Sequence, residues 1–232
     1  GFVEQVNKEY ERTIEQHKRK HQQTTLLSFE QARANRFKDN EGHSHIVKPK
    51  RLGVHVFDNI DLNQLRDYID WTPFFLTWQL HGKYPQILKH TTVGEQATQL
   101  FNDANDLLDE IITANQIKAK AVFGLFKANS QNESIVVTGE NKKIKLETLR
   151  QQLKTRNQSP NYALADFIAP IESEVEDYIG AFAVTAGFGA DELADKFLKE
   201  HDDYNNIMVK AVADRLAEAL AEYLHELIRK EY

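Results

Sequence analysis

A carboxylate stands between two aromatic side chains in Tyr68-Ile69-Asp70-Trp71-Thr72-Pro73-Phe74-Phe75-Leu76-Thr77-Trp78, where one helix should end and the next begin. Asp61 or Asn59 can cap a helix running through Leu62, Leu65 and Ile69. Thr72 as N-cap with Pro73 at the first helical position would start a second helix through Phe75 and Trp78. Asp70 then lies near a helix N-terminus, where the helix dipole keeps a carboxylate ionised. With aromatic walls beside it, such a group suits an ammonium or sulfonium ion. The plainer alternative on local chemistry is that Asp70 only caps the helix.

A second set of acids lies near the C-terminus. Asp214, Glu218 and His225 are spaced by four and seven residues, which at about 100° per residue places them on one narrow stripe of a helix. Leu216, Leu220, Tyr223 and Leu227 form the opposite face. An acidic stripe facing away from an apolar one is ordinarily the solvated side. It becomes a pocket wall only if another layer closes over it.

Other candidate motifs fall short. In Gly180 to Glu192 a strand runs into Gly187 and Gly189, but a dinucleotide fingerprint needs a third glycine where Glu192 stands. Asp191 and Glu192 would also repel a pyrophosphate at the following helix N-terminus, so turn geometry explains these glycines better. His43-x-His45 and His201-Asp202-Asp203 lack a third ligand at a metal-binding spacing, and no metal site is expected. In His81-Gly82, the glycine reads as the residue that ends the second helix. G-x-S-x-G, H-E-x-x-H and P-loop patterns are absent.

Composition narrows the classes further. The 232 residues suffice for one large domain, or for a domain with an appended helix. A net charge of −6 argues against a nucleic-acid partner, which would need clustered Lys and Arg. The chain has no cysteine, which excludes disulfides, thiolate metal sites and a thiol nucleophile and fits a cytoplasmic location. No apolar run approaches the roughly 18 residues that span a bilayer, and the charged start is no signal peptide, so neither membrane nor export is expected.

The elements that must hold these residues follow from periodicity. Residues 2 to 22 read as an exposed helix with a thin apolar stripe at Phe2, Val3, Val6, Tyr10 and Ile14. Ser28 to Lys50 reads as an extended connector, with a domain boundary near residue 50. A short strand is expected over Arg51 to Phe57 and a helix over Val93 to Ile112. Strands over 121–126, 134–137 and 143–146 follow, joined by a hairpin. Leu149 to Asn157 suggests a short surface helix, Ala163 to Ala169 and Tyr178 to Thr185 two further elements, and 190–199 and 203–232 two helices. Helices, then strands, then helices indicate an α+β fold: a mainly antiparallel twisted sheet flanked by helices, with an N-terminal helical and extended linker.

Several stretches in order carry a family resemblance: Tyr68 to Phe75, Gly82-Lys83-Tyr84-Pro85, Leu164-Ala165-Asp166-Phe167, Asp177 to Thr185, His201-Asp202-Asp203-Tyr204-Asn205, Asp214-Arg215-Leu216-Ala217-Glu218-Ala219 and Glu222-Tyr223-Leu224-His225-Glu226. Over about residues 50 to 232 the chain closely resembles the C-terminal activation domain of cobalamin-dependent methionine synthase. The resemblance implies binding of S-adenosylmethionine, so that oxidised cob(II)alamin held by a neighbouring domain of the same chain can be reduced and remethylated. It places Asp70 and Glu218 at S-adenosylmethionine and Asp214 toward the cobalamin-facing side of the cleft. A carboxylate opposite a sulfonium or ammonium would contribute about 1 to 3 kcal/mol if partly desolvated.

Residues 1–50 then correspond to an interdomain helix and linker, and 51–232 to the activation domain. The resemblance further implies a fragment of a methyltransferase: the chain ends before the family's Arg-x-x-x-Gly-Tyr-Pro segment, so the methyl-donor site would be half built and no turnover is expected from this piece alone. The implied partners are the cobalamin domain and a flavodoxin-type reductase. A docking module that caps the cobalamin domain and receives the reductant is the alternative.

Overall fold

The computed structural model describes residues 2–22, 25–39, 45–139, 142–154 and 159–232, with the side chains of Phe2 and of residues 17–22 excepted. Helices α1 (Phe2–Gln22) and α2 (Phe29–Ala34) precede strand β1 (Gly53–Ile60), α3 (Trp71–Thr77) and α4 (Gly94–Thr113). Strands β2 (Lys118–Gln131), β3 (Ser134–Thr138), β4 (Lys143–Glu147) and β5 (Asp177–Phe188) follow, then α5 (Ala190–Lys199) and α6 (Asp203–Glu231). The sheet is five-stranded, ordered β1-β2-β3-β4 with β5 also on β2. The β1/β2, β2/β3 and β3/β4 pairs are antiparallel. This is the expected α+β fold.

The chain forms two compact units, one of residues 49–125 and 180–232, the other of residues 1–48 and 126–179. In the first, β1 pairs with β2 from Gly53↔Leu125 to Ile60↔Ala119. Phe57, Ala121 and Phe123 of these strands join a core filled by Leu65, Phe74 and Phe75, by Leu100, Ala104, Leu108 and Ile111 of α4, and by Val209, Val212, Leu216, Leu220 and Leu224 of α6. The three- and four-residue spacing on α4 and α6 aligns these apolar groups on one side of each helix. Each large side chain withdrawn from water contributes about 1.5 to 3 kcal/mol. The orientation of α6 follows: its apolar side is fixed in the core, so Asp214, Glu218, Glu222 and His225 face solvent.

Between β1 and α3 the chain makes a 3-10 turn (Leu62–Tyr68) capped by Asp61, whose carboxylate accepts the Asn63 N–H at 2.9 Å. The expected α-helix here is thus a tighter helix that ends before Ile69. The start of α3 also differs from expectation. Asp70 is the N-cap and Thr72 lies inside the helix, because Asp70 Oδ1 takes up the Thr72 N–H at 2.9 Å. Its end is set by Gln79 in left-handed conformation (φ 59°), not by Gly82.

Gly189 proves to be the turn residue of the strand-to-helix connection, whereas Gly187 lies inside β5. Gly189 adopts φ +91° at the start of α5, and a Cβ there would lie 2.1 Å from the Gln116 carbonyl oxygen. Only glycine fits that approach.

In the second unit β2 continues with β3 from Lys127↔Thr138 to Gln131↔Ser134, and β3 pairs with β4. A small core of Ala128, Ile135, Val137 and Ala165 lies beneath. The Ser28 to Lys50 stretch, expected to be extended throughout, contains α2. Ser28 Oγ accepts the Gln31 N–H while Gln31 Oε1 accepts the Ser28 N–H, a reciprocal cap that stabilises this short helix. The helix expected from Leu149 is absent through Lys154. There the backbone bonds elsewhere, with Leu27 N–H to Gln152 O and Lys154 N–H to Thr25 O. Residues 155–158, like His43 and like Glu140 and Asn141 of the expected hairpin turn, lie outside the described residues.

Candidate functional site

Asp70 sits at an extended step between two anchored neighbours. On one side Trp71 is 7% exposed, its ring packed edge-on against Phe74 (5.3 Å) and Phe101 (5.0 Å). The tryptophan is therefore core, and does not form the aromatic wall expected beside the carboxylate. On the other side Tyr68 lies edge-on against Tyr223 of α6 at 5.6 Å. Its hydroxyl donates to Glu226 Oε2 at 2.5 Å. This bond holds the Tyr68 hydroxyl above its ordinary pKa, while Lys230 and then Tyr68 hold the Glu226 carboxyl below its own. The pair is a phenol donating to a carboxylate. The Asp70 side chain itself is exposed and acts as a cap through one oxygen.

On α6, Asp214 and Glu218 share the exposed face, one turn apart. The Asp214 carboxylate is engaged by the neighbouring Arg215 guanidinium. Glu218 has no hydrogen-bond or ion-pair partner among the described residues, which leaves its charge available. His225 is occupied against the Phe182 ring, edge-on at 5.0 Å. Asp214 and Glu218 are thus brought together by their helix. Among the described residues no hydrogen bond or ion pair joins Asp70 to either, and a side-chain bond from its segment to α6 is that of Tyr68 to Glu226.

The Tyr68–Glu226 bond was not expected from sequence. Both residues stand in motif stretches, but nothing local pairs side chains 158 positions apart. A buried charge network in the other unit was likewise unforeseen. Arg150 donates to Asp166 through two nitrogens (2.7 and 2.9 Å), to Glu133 Oε1 (2.9 Å) and to the Asn161 carbonyl (2.7 Å). Arg33 reaches the same Glu133 carboxylate from α2 with both Nε and Nη2. A cavity of about 520 Å³ opens beside it, lined in part by Arg33, Arg36, Phe37 and Asp166. Among the described residues no cluster of three or more potential ligands could hold a metal ion. No described helix is long and apolar enough to cross a membrane.

The α+β domain thus leaves Asp70 exposed at the start of α3 and brings Asp214 and Glu218 together on an exposed face of α6. The chain belongs to the vitamin B12 dependent methionine synthase activation-domain family, whose profile matches residues 61–232. It is also similar to a solved structure described as the MetH reactivation domain bound to AdoHcy, with 48% identity and a TM-score of 0.84. That match covers 90% of this chain, and the chain spans 65% of the length of that relative.

Proposed function

We propose that this chain binds S-adenosylmethionine and thereby supports reductive remethylation of cob(II)alamin held by a neighbouring domain of the same polypeptide. The observation that carries the reading is the 48% identical relative with AdoHcy bound, AdoHcy being S-adenosylmethionine less its methyl group. The residues present fit such a ligand. Asp70 and Glu218 are exposed carboxylates, Glu218 with both oxygens free and Asp70 with one. Anionic oxygens of this kind complement a sulfonium and an α-ammonium. Asp214, already neutralised in part by Arg215, is the less direct of the three and faces the cobalamin side in this reading.

The methyl group comes from S-adenosylmethionine and the electron from a flavodoxin-type reductant. The chain's own residues bind and orient the donor, which is a proximity contribution. The protein would work in the cytoplasm as the reactivating part of a methyltransferase. In this reading residues 1–50 serve as interdomain helix and linker and 51–232 as the activation domain. A docking role beside ligand binding is favoured by one observation. The apolar stripe of α1 is uncovered, with Val3 72% and Tyr10 66% exposed, and offers a contact for the cobalamin domain.

Titration calorimetry with S-adenosylmethionine tests the reading, run on this chain and on the intact polypeptide that carries it. Binding by the intact polypeptide that weakens in Glu218→Gln is expected. No binding by either would leave only the docking role.

A further inference from the structure

The geometry points to Tyr68 and Glu226 as positioning residues for Asp70, setting where its carboxylate stands relative to the Glu218 face of α6. The inference rests on the proposed binding of S-adenosylmethionine at Asp70 and goes beyond it to the residues that build the site. Asp70 is reached by an extended step: Ile69 (φ −70°, ψ 115°) and Asp70 (φ −80°, ψ 108°) belong to neither helix. Such a step has no repeating hydrogen bonds of its own, so its place is decided at its two ends. One end is Trp71, packed in the core. The other is Tyr68, held by the bond to Glu226 at 2.5 Å and by its edge-on contact with Tyr223.

Glu226 is itself fixed on α6 by Lys230 one turn later. Its carboxylate accepts from both and stays ionised, while the Tyr68 hydroxyl stays protonated as donor. Glu218 is on the same helix, eight residues earlier, which is about 12 Å along the axis. The Tyr68–Glu226 bond is therefore a cross-link between the segment that carries one ligand carboxylate and the helix that carries the other. Loosening it would leave both acids present but wrongly spaced, and misplacement by about 1 Å is enough to weaken a preorganised site.

The test combines two readouts on the intact polypeptide. Affinity for S-adenosylmethionine is measured by calorimetry for the wild type, Tyr68→Phe, Glu226→Ala, Glu226→Gln and Asp70→Asn. Amide hydrogen exchange is followed at Thr72, whose N–H is bonded to Asp70. Tyr68→Phe keeps the ring and removes only the donor. It is expected to weaken binding roughly three- to tenfold, the effect of one hydrogen bond, and to speed exchange at Thr72. Glu226→Ala should do the same, whereas Glu226→Gln, which still accepts, should restore most of both.

If the wild type does not bind, the proposed function fails and this inference with it; if Asp70→Asn binds as well as the wild type, binding stands but the assignment of Asp70 to the ligand, and this inference with it, fails. Affinity lost in Asp70→Asn but unchanged in Tyr68→Phe overturns the positioning role alone. So does a Tyr68→Phe variant that loses affinity with Thr72 exchange unaltered, since the hydroxyl would then act on the ligand directly.

Discussion

Arg150 and Asp166 meet through two hydrogen bonds of 2.7 and 2.9 Å, with side chains only 1% and 3% exposed. Removing one partner would leave the other as an uncompensated buried charge. Asp166→Ala is therefore expected to destabilise the protein by about 3 to 5 kcal/mol. Asp70→Ala, which removes an exposed helix cap, should cost about 1 kcal/mol. Urea denaturation of the two variants beside the wild type measures this difference.

Glu133 sets an acid limit. Arg33 above all, then Arg150, holds its carboxyl at about 2, against a burial that acts in the opposite direction. The folded value lies below the unfolded value of about 4.3. The stabilisation is thus complete above the unfolded value and is lost as pH falls through the folded one. Stability measured by denaturation between pH 5 and pH 2 should decline more steeply in the wild type than in Glu133→Gln, which has no such proton to take up. Equal slopes would show that Glu133 carries no such linkage.

Gly189→Ala tests whether the Gly180–Glu192 region is structure or ligand loop. The added methyl would meet the Gln116 carbonyl at 2.1 Å, and the φ of +91° is one that L side chains rarely adopt. A loss of about 2 kcal/mol or more is expected in thermal unfolding. A neutral result would contradict the close approach seen between Gly189 and Gln116.

What could be read from sequence was what repeats locally. The periods of α4, α5 and α6 stand where expected, because burial of one helix face imposes the period; β2, β3 and β4 fall on the stretches read as strands, though β2 runs longer, Lys118–Gln131, and β4 is exposed throughout. The acidic face of α6 could be read for the same reason. The start of α3 was read two residues late, since Thr72-Pro73 and Asp70 are both good starting signals and only the bond from the Thr72 N–H decides between them. In α2 the Ser28 and Gln31 cap was present in the sequence, but polar surroundings hid so short a helix.

Side-chain partnerships across the chain could not be read at all. Arg33 and Glu133 are 100 positions apart, and Leu27 and Gln152 are 125 apart where the expected surface helix gives way to pairing with a distant backbone. The burial of Trp71 is another such case. Its neighbour Phe101 comes from α4, so the local motif could not tell a pocket wall from a core residue.

The most direct measurement is the affinity of the intact polypeptide for S-adenosylmethionine with and without the Asp70 charge. Asp70→Asn keeps the shape and an oxygen for the Thr72 cap while removing one charge-assisted contact. Binding about tenfold weaker or more, with unfolding stability little changed, is the expected result. Undiminished affinity in Asp70→Asn would contradict the assignment of this carboxylate to the methyl donor.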